Sequence, residues 1–248
     1  MDAPRGPGGT MNGWTTSELM AAEMSRHIAD GEVAIMGAVS ALPMAACRLA
    51  QATHAPASWF VAGGSGAVNP HATPLPQSSC DDRLLDAACV LPLPEVVMLE
   101  GRGDVFDVFF AGGLQIDAFG NTNLERIGRA EHPRLKGPGG VGLSFLPLAG
   151  RVVIYTMTHD PRTLVEQVDF VSGPAKSLTG RGPVLIVTPL CTMDFDPDTG
   201  RARLRTVHPG VTADQVRAAT GFALAVQDSV PETEPPSRRD LEVLRRLA

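Results

Sequence analysis

The chain reads as an α/β protein built on an open, largely parallel sheet with flanking helices. Three observations predict this class. Short apolar runs of strand length alternate with longer stretches at helical spacing. No internal repeat or linker interrupts the alternation. Glycine clusters directly follow two of the strand-like runs, at the edge where such sheets bind their ligands.

The elements follow in order. Residues 1–13 are Gly/Pro-rich and lack a charged-then-apolar signal pattern, so they read as a flexible leader ahead of one domain over 14–248. Thr15 and Glu18 stand at capping-box spacing, with Leu19, Ala22 and Ile28 on the turns that follow, which predicts a helix ending at Asp30-Gly31. Glu32 to Gly37 is an apolar run of strand length. Leu42 to Thr53 is a small-residue helix that stops before His54-Ala55-Pro56. Trp59 to Ala62 forms the second strand, and a Gly-rich loop leaves its C-terminal end. Asn69 to Pro94, rich in Pro, Ser and Asp, predicts an irregular excursion with a short helix near Leu84. Val105 to Phe110 is a central strand. Arg151 to Met157 and Pro183 to Pro189 are two more, of β-branched character. A hairpin begins near Met193, turns at Asp196 to Gly200 and returns over Arg201 to Val207. Helices start at Thr212 and span Arg238 to Leu247.

Composition removes several function classes. The 248 residues are 44% hydrophobic, enough for a buried core. The formal charge of −6, with no basic cluster, argues against a nucleic-acid surface. No apolar run approaches the roughly 20 residues that cross a bilayer, so a cytoplasmic protein is expected. Cys47, Cys80, Cys89 and Cys191 show neither CxxC nor zinc spacing, so no metal site is expected and each reads as a small buried hydrophobe. Cys80 stands apart because it follows the Gly-rich loop.

Two signatures carry chemistry. One is the loop Val61-Ala62-Gly63-Gly64-Ser65-Gly66-Ala67; the other is Gly112-Gly113-Leu114-Gln115-Ile116-Asp117-Ala118-Phe119-Gly120-Asn121-Thr122-Asn123. With His132-Pro133-Arg134, Gly137-Pro138-Gly139-Gly140, the His159–Arg162 and Val168–Ser172 elements, and His208 to Thr212, they resemble, in order, the β-type subunit of class I CoA-transferases, as found in glutaconate CoA-transferase. That resemblance implies the α/β fold above and an active site shared with a separate α-type subunit, in an α2β2 hetero-oligomer. It also implies an acyl-CoA ligand, with coenzyme A as part of the substrate and no bound cofactor. Members of the family usually present a nucleophilic glutamate in the first loop. Here its place falls on Gly63 or Gly64, and no Asp or Glu occurs between Ala55 and Cys80. The chain thus resembles the glutamate-lacking β subunits of a steroid ring-cleaving hydrolase and of a glutaconyl-CoA-type decarboxylase.

Read as residues, Gly63, Gly64, Ser65, Gly66, Gln115, Asn121, Gly139 and Gly140 are the candidates for a substrate or CoA pocket. Gln115, Asp117, Asn121 and Asn123 alternate along a strand exit, where they either scaffold a neighbouring loop or touch substrate. Gly137 to Gly140 is either an anion-binding nest or a plain tight turn. His159 is a candidate acid/base, or a hydrogen-bonded structural residue. Ser65 lacks a base, which leaves it as loop structure or a polar contact. Loss of the glutamate implies a larger, less negative pocket, suited to a dicarboxylic acyl group. Three functions follow. One is a β subunit for hydrolytic or decarboxylative C–C cleavage of an acyl-CoA. The second is CoA transfer with the nucleophile from the partner. The third is a non-catalytic scaffold.

Overall fold

A computed structural model describes residues 13–178 and 182–248; the expected leader lies, apart from Gly13, outside them. Its centre is a nine-stranded sheet. In chain order the strands are β1 (Val33–Met36), β2 (Trp59–Ala62), β3 (Ala67–Val68), β4 (Cys89–Val90) and β5 (Val108–Ala111). They continue with β6 (Arg151–Tyr155), β7 (Pro183–Val187), β8 (Cys191–Phe195) and β9 (Ala202–Val207). The spatial order is β9-β8-β7-β6-β5-β1-β2-β3-β4. The five central strands, β7 to β2, are parallel, and antiparallel pairs extend both margins.

Alternation along the strands divides the core. Ala34, Met36, Phe60, Ala62, Val108 and Phe110 face a helical layer. That layer consists of α1 (Thr16–Ser25), α2 (Ala41–Ala52) and α5 (Arg238–Leu247). Ile35, Val61, Phe109, Ala111 and Val152 point the other way. Their cover is mixed: α3 (Leu93–Glu100), α4 (Ala213–Ala219), a 3-10 turn at Leu143–Leu148 and a small sheet of Gln115–Asp117, Thr122–Asn123 and Leu164–Val165. Helices therefore flank one face, and a layer of short pieces flanks the other.

Several element boundaries differ from the sequence reading. The Thr15–Glu18 capping box forms in both directions, but α1 ends at Ser25, not at Asp30-Gly31. His27 and Ile28 donate three residues back, to Met24 and Ser25, and these tighter bonds close the helix early. The excursion after residue 69 does contain a 3-10 turn around buried Leu84, and also the edge strand β4. The central strand starts at Val108 rather than Val105. Helix α3 was not anticipated at all.

Candidate active site

The chain leaves β1 for β2 on one side and later returns to β5 on the other, so the connections diverge between β1 and β5. Ligands of open α/β sheets bind at such a divergence, beyond the carboxyl ends of the strands. A cleft of about 540 Å³ lies there. It is lined by the exits of β1 (Gly37 to Ser40), β2 (Gly63, Gly64), β5 (Gly112, Gly113) and β6 (Tyr155 to Met157). Cys80, α3, Pro138, Gly139 and Val141 to Leu143 continue the wall. Among the described residues the lining contains no Lys, Arg or His.

The loop after β2 is fixed residue by residue. Gly63 donates to the Met36 carbonyl at 3.0 Å and Gly64 to Ser79 Oγ at 3.1 Å. Ser65 and Gly66 both donate to the Ala62 carbonyl, at 3.1 and 2.9 Å. All four amides are engaged, so the loop offers no free cradle. A Cβ on Gly63 would lie 2.6 Å from the Met36 carbonyl oxygen. One on Gly64 would meet Ser79 Oγ at 2.7 Å and collide with Cys80 Sγ. Gly66 has φ +71° and backs onto the Leu91 carbonyl, which only glycine accommodates. The larger pocket expected here is therefore not found: Ser79 and Cys80 fill the space beside Gly64. The hydroxyl of Ser65 bonds within its own loop, to Ala62 and Ala67.

The second signature is a scaffold. Gln115 and Asn123 pair across the small sheet, with Asn123 Nδ2 donating to Gln115 Oε1 at 2.7 Å. Gln115 also bonds Asp169 through both ends of its amide. Asn121 donates to Asp117 at 2.9 Å and accepts from the Ala175 amide at 2.8 Å. Neither Gln115 nor Asn121 lines the cleft. Their network holds Leu124 and Glu125, whose carbonyls accept the amides of Gly139 and Gly137. Those donors are thereby spent, which leaves little of an anion nest. Gly139 does line the cleft. Gly140 sits against Ser172 instead, where a Cβ would meet the Ser172 Cβ at 2.9 Å.

His159 is placed elsewhere. Its ring nitrogens lie 2.8 Å from Thr188 Oγ1 and 3.1 Å from Thr220 Oγ1, and burial lowers its pKa to about 4. It does not line the cleft. The reading of all four cysteines as buried needs correction: Cys47 and Cys191 are, whereas Cys80 and Cys89 are exposed. Both exposed thiols belong to the surface excursion, which has no layer above it. Burial raises the thiol pKa of Cys47, and that of Cys191 to about 12.

Sequence reasoning missed two residues that line the cleft and one buried behind it. Ser79, fully buried, bridges the β1 and β2 exits, donating to the Gly37 carbonyl at 2.8 Å. Tyr155 donates to the Val39 carbonyl at 2.8 Å, and burial raises its pKa. Glu100 is the one carboxyl in the lining among the described residues, and burial pushes its pKa up to about 7. Only Ser79, close to the noted Cys80, had a signal nearby.

Fold and cleft together define an α/β protein with a cleft at its Gly-rich strand exits. The chain belongs to the coenzyme A transferase family, whose model matches residues 18–219. It is 32% identical to the B-type subunit of 3-oxoadipate CoA-transferase from Pseudomonas knackmussii, over 96% of this chain and 94% of that protein. It is 27% identical to the B-type subunit of glutaconate CoA-transferase from Acidaminococcus fermentans, covering 94% and 91% respectively. Among solved structures, the decarboxylase AibA/AibB matches with a TM-score of 0.84 at 29% identity, covering 94% of each chain. No helix among the described residues is long and apolar enough to cross a membrane.

Proposed function

We propose that this chain is the β-type subunit of a heteromeric enzyme acting on an acyl-CoA thioester, and that the enzyme cleaves a C–C bond, hydrolytically or by decarboxylation, rather than exchanging CoA. One observation carries the reading: a side chain at Gly63 or Gly64, where the resemblance puts the family's nucleophilic carboxylate, would collide with Met36, Ser79 or Cys80. CoA exchange by this family's route needs an enzyme carboxylate that forms an anhydride and then a thioester. C–C cleavage does not. The thioester carbonyl accepts the electron pair of the broken bond, and hydrogen-bond donors stabilise the resulting enolate. Similarity to a decarboxylase and, over 55% of this chain at 28% identity, to a cholesterol ring-cleaving hydrolase IpdB subunit of Mycobacterium tuberculosis supports it.

The α-type partner supplies the remaining wall. We place the CoA phosphates outside this cleft, since no Lys, Arg or His among the described residues lines it. Similarity to the 3-oxoadipate CoA-transferase chain favours a second reading, in which the partner carries the exchange nucleophile. The co-purified complex distinguishes them. Incubation with glutaconyl-CoA is expected to release CO2, with no CoA appearing on added acetate. A trapped enzyme–CoA thioester would remove the first reading.

A further inference from the structure

Glu100 ends α3 and lines the cleft, its carboxyl packed beside Gly142, which lines it too. A Cβ on Gly142 would lie 3.0 Å from Glu100 Oε1, so this glycine leaves the carboxyl its room. Glu100 is 8% exposed, and no described residue pairs with it or donates a hydrogen bond to it. Its oxygens are nevertheless not sealed in protein, since the sole fully buried, unpartnered side-chain atom among the described residues is Arg126 Nε. They open to the cleft. A carboxyl there caps no helix and neutralises no cation. Burial without partners costs stability, so the fold itself gives no reason for it.

Its setting favours the neutral acid. Burial disfavours the charged form, and the negative end of α3 acts in the same direction. An exchange nucleophile would have to be ionised. A group that holds a proton near neutrality and can release it suits acid–base chemistry.

We propose that Glu100 is the catalytic acid of this cleft, delivering a proton to the carbon that C–C cleavage leaves as a thioester enolate. The assignment rests on the C–C cleavage reading. In decarboxylation the substrate carboxylate leaves as CO2, and the electron pair of the broken bond enters the thioester carbonyl to give an enolate. Glu100 gives its proton to carbon as that pair returns to form the C–H bond, and water reprotonates the carboxylate. In the hydrolytic variant the ionised Glu100 first takes a proton from the water that adds to a ketone β to the thioester. The bond from that carbon to the α-carbon breaks, and its pair enters the thioester carbonyl. Glu100 returns the proton to the α-carbon as the acid product leaves. No electron acceptor is required in either case.

Deuterium exchange tests this independently of net cleavage. The α/β complex is incubated with crotonyl-CoA in D2O, and label entering the acyl chain is followed by mass spectrometry. Glu100→Gln is expected to lower the exchange rate by about 10²-fold or more, the usual range for a lost acid–base group, with crotonyl-CoA binding retained. Glu100→Asp is expected to keep part of the rate, and unfolding midpoints of both variants check their folding. Undiminished exchange in Glu100→Gln, or none in the unsubstituted complex, would overturn the proposal. So would an acyl or CoA adduct on the Glu100 peptide. Failure of the C–C reading shows separately, as CoA transfer to acetate without CO2 release.

Discussion

Ser79 fastens Gly64 to the exit of β1: its hydroxyl accepts the Gly64 amide at 3.1 Å and donates to the Gly37 carbonyl at 2.8 Å. The side chain is fully buried, so water cannot replace it. Ser79→Ala strands one amide and one carbonyl, at a cost of about 1–3 kcal/mol for such a loss. Urea denaturation is expected to show a lower midpoint at an unchanged slope. An unaltered midpoint would mean that the bridge holds nothing.

The crowding at Gly64 yields a coupling. Gly64→Ala places a Cβ against Cys80 Sγ and 2.7 Å from Ser79 Oγ, an overpacking of the kind that costs about 1–3 kcal/mol. Cys80→Ala removes the sulfur and half of the conflict. The Gly64→Ala penalty should therefore shrink in the Cys80→Ala background, with an interaction of about 0.5 kcal/mol or more. Thermal unfolding of the four proteins gives this number. Strict additivity would show that the thiol swings aside freely.

These residues also mark where the sequence was legible and where it was not. The five parallel strands were readable because each is a short apolar run between breakers. The Thr15–Glu18 capping box announced α1, and the start at Thr212 announced α4. The Gly63–Gly66 loop was found through its position after β2. Helix α3 was missed for a physical reason. Its start, Pro92, provides no side-chain cap, and Leu-Pro-Glu-Val-Val-Met-Leu-Glu has no clear polar face. Missing the helix meant missing Glu100. Conversely, Gln115, Asn121 and His159 were legible as polar residues near strand ends, but one-dimensional order does not tell which side of a layer they serve. The small sheet that engages Gln115 and its neighbour Asn121 is built from pieces of two or three residues, below the length at which periodicity has meaning.

His159 sits neutral between two threonines, and its stability linkage has a definite sign. Its pKa falls from an ordinary 6.5 to about 4 because burial disfavours the cation. Between those values the unfolded chain binds the extra proton, so stability declines as pH drops from about 6.5 to about 4 and levels off below that. The size is on the order of 2 kcal/mol. Buried His208 is shifted the same way, so the two add. The His159 imidazole resonances should not titrate between pH 5 and 8. Movement of those resonances with a midpoint above 6 would contradict the neutral packing.

Glu100 should act on stability in the opposite sense. Its pKa rises from 4.5 to about 7, so across that window the folded protein binds the extra proton and stability declines as pH climbs, levelling off above about 7. The two residues thus oppose one another between about 4.5 and 6.5, and the intact protein should show a flatter pH profile there than either group alone would give. Glu100→Gln removes one side of that balance. Its unfolding midpoint should exceed that of the unsubstituted protein by a margin that widens from pH 5 to pH 8, reaching on the order of 2 kcal/mol. A margin constant with pH would mean that the carboxyl is ionised throughout, and Glu100 would then have no proton to give near neutrality.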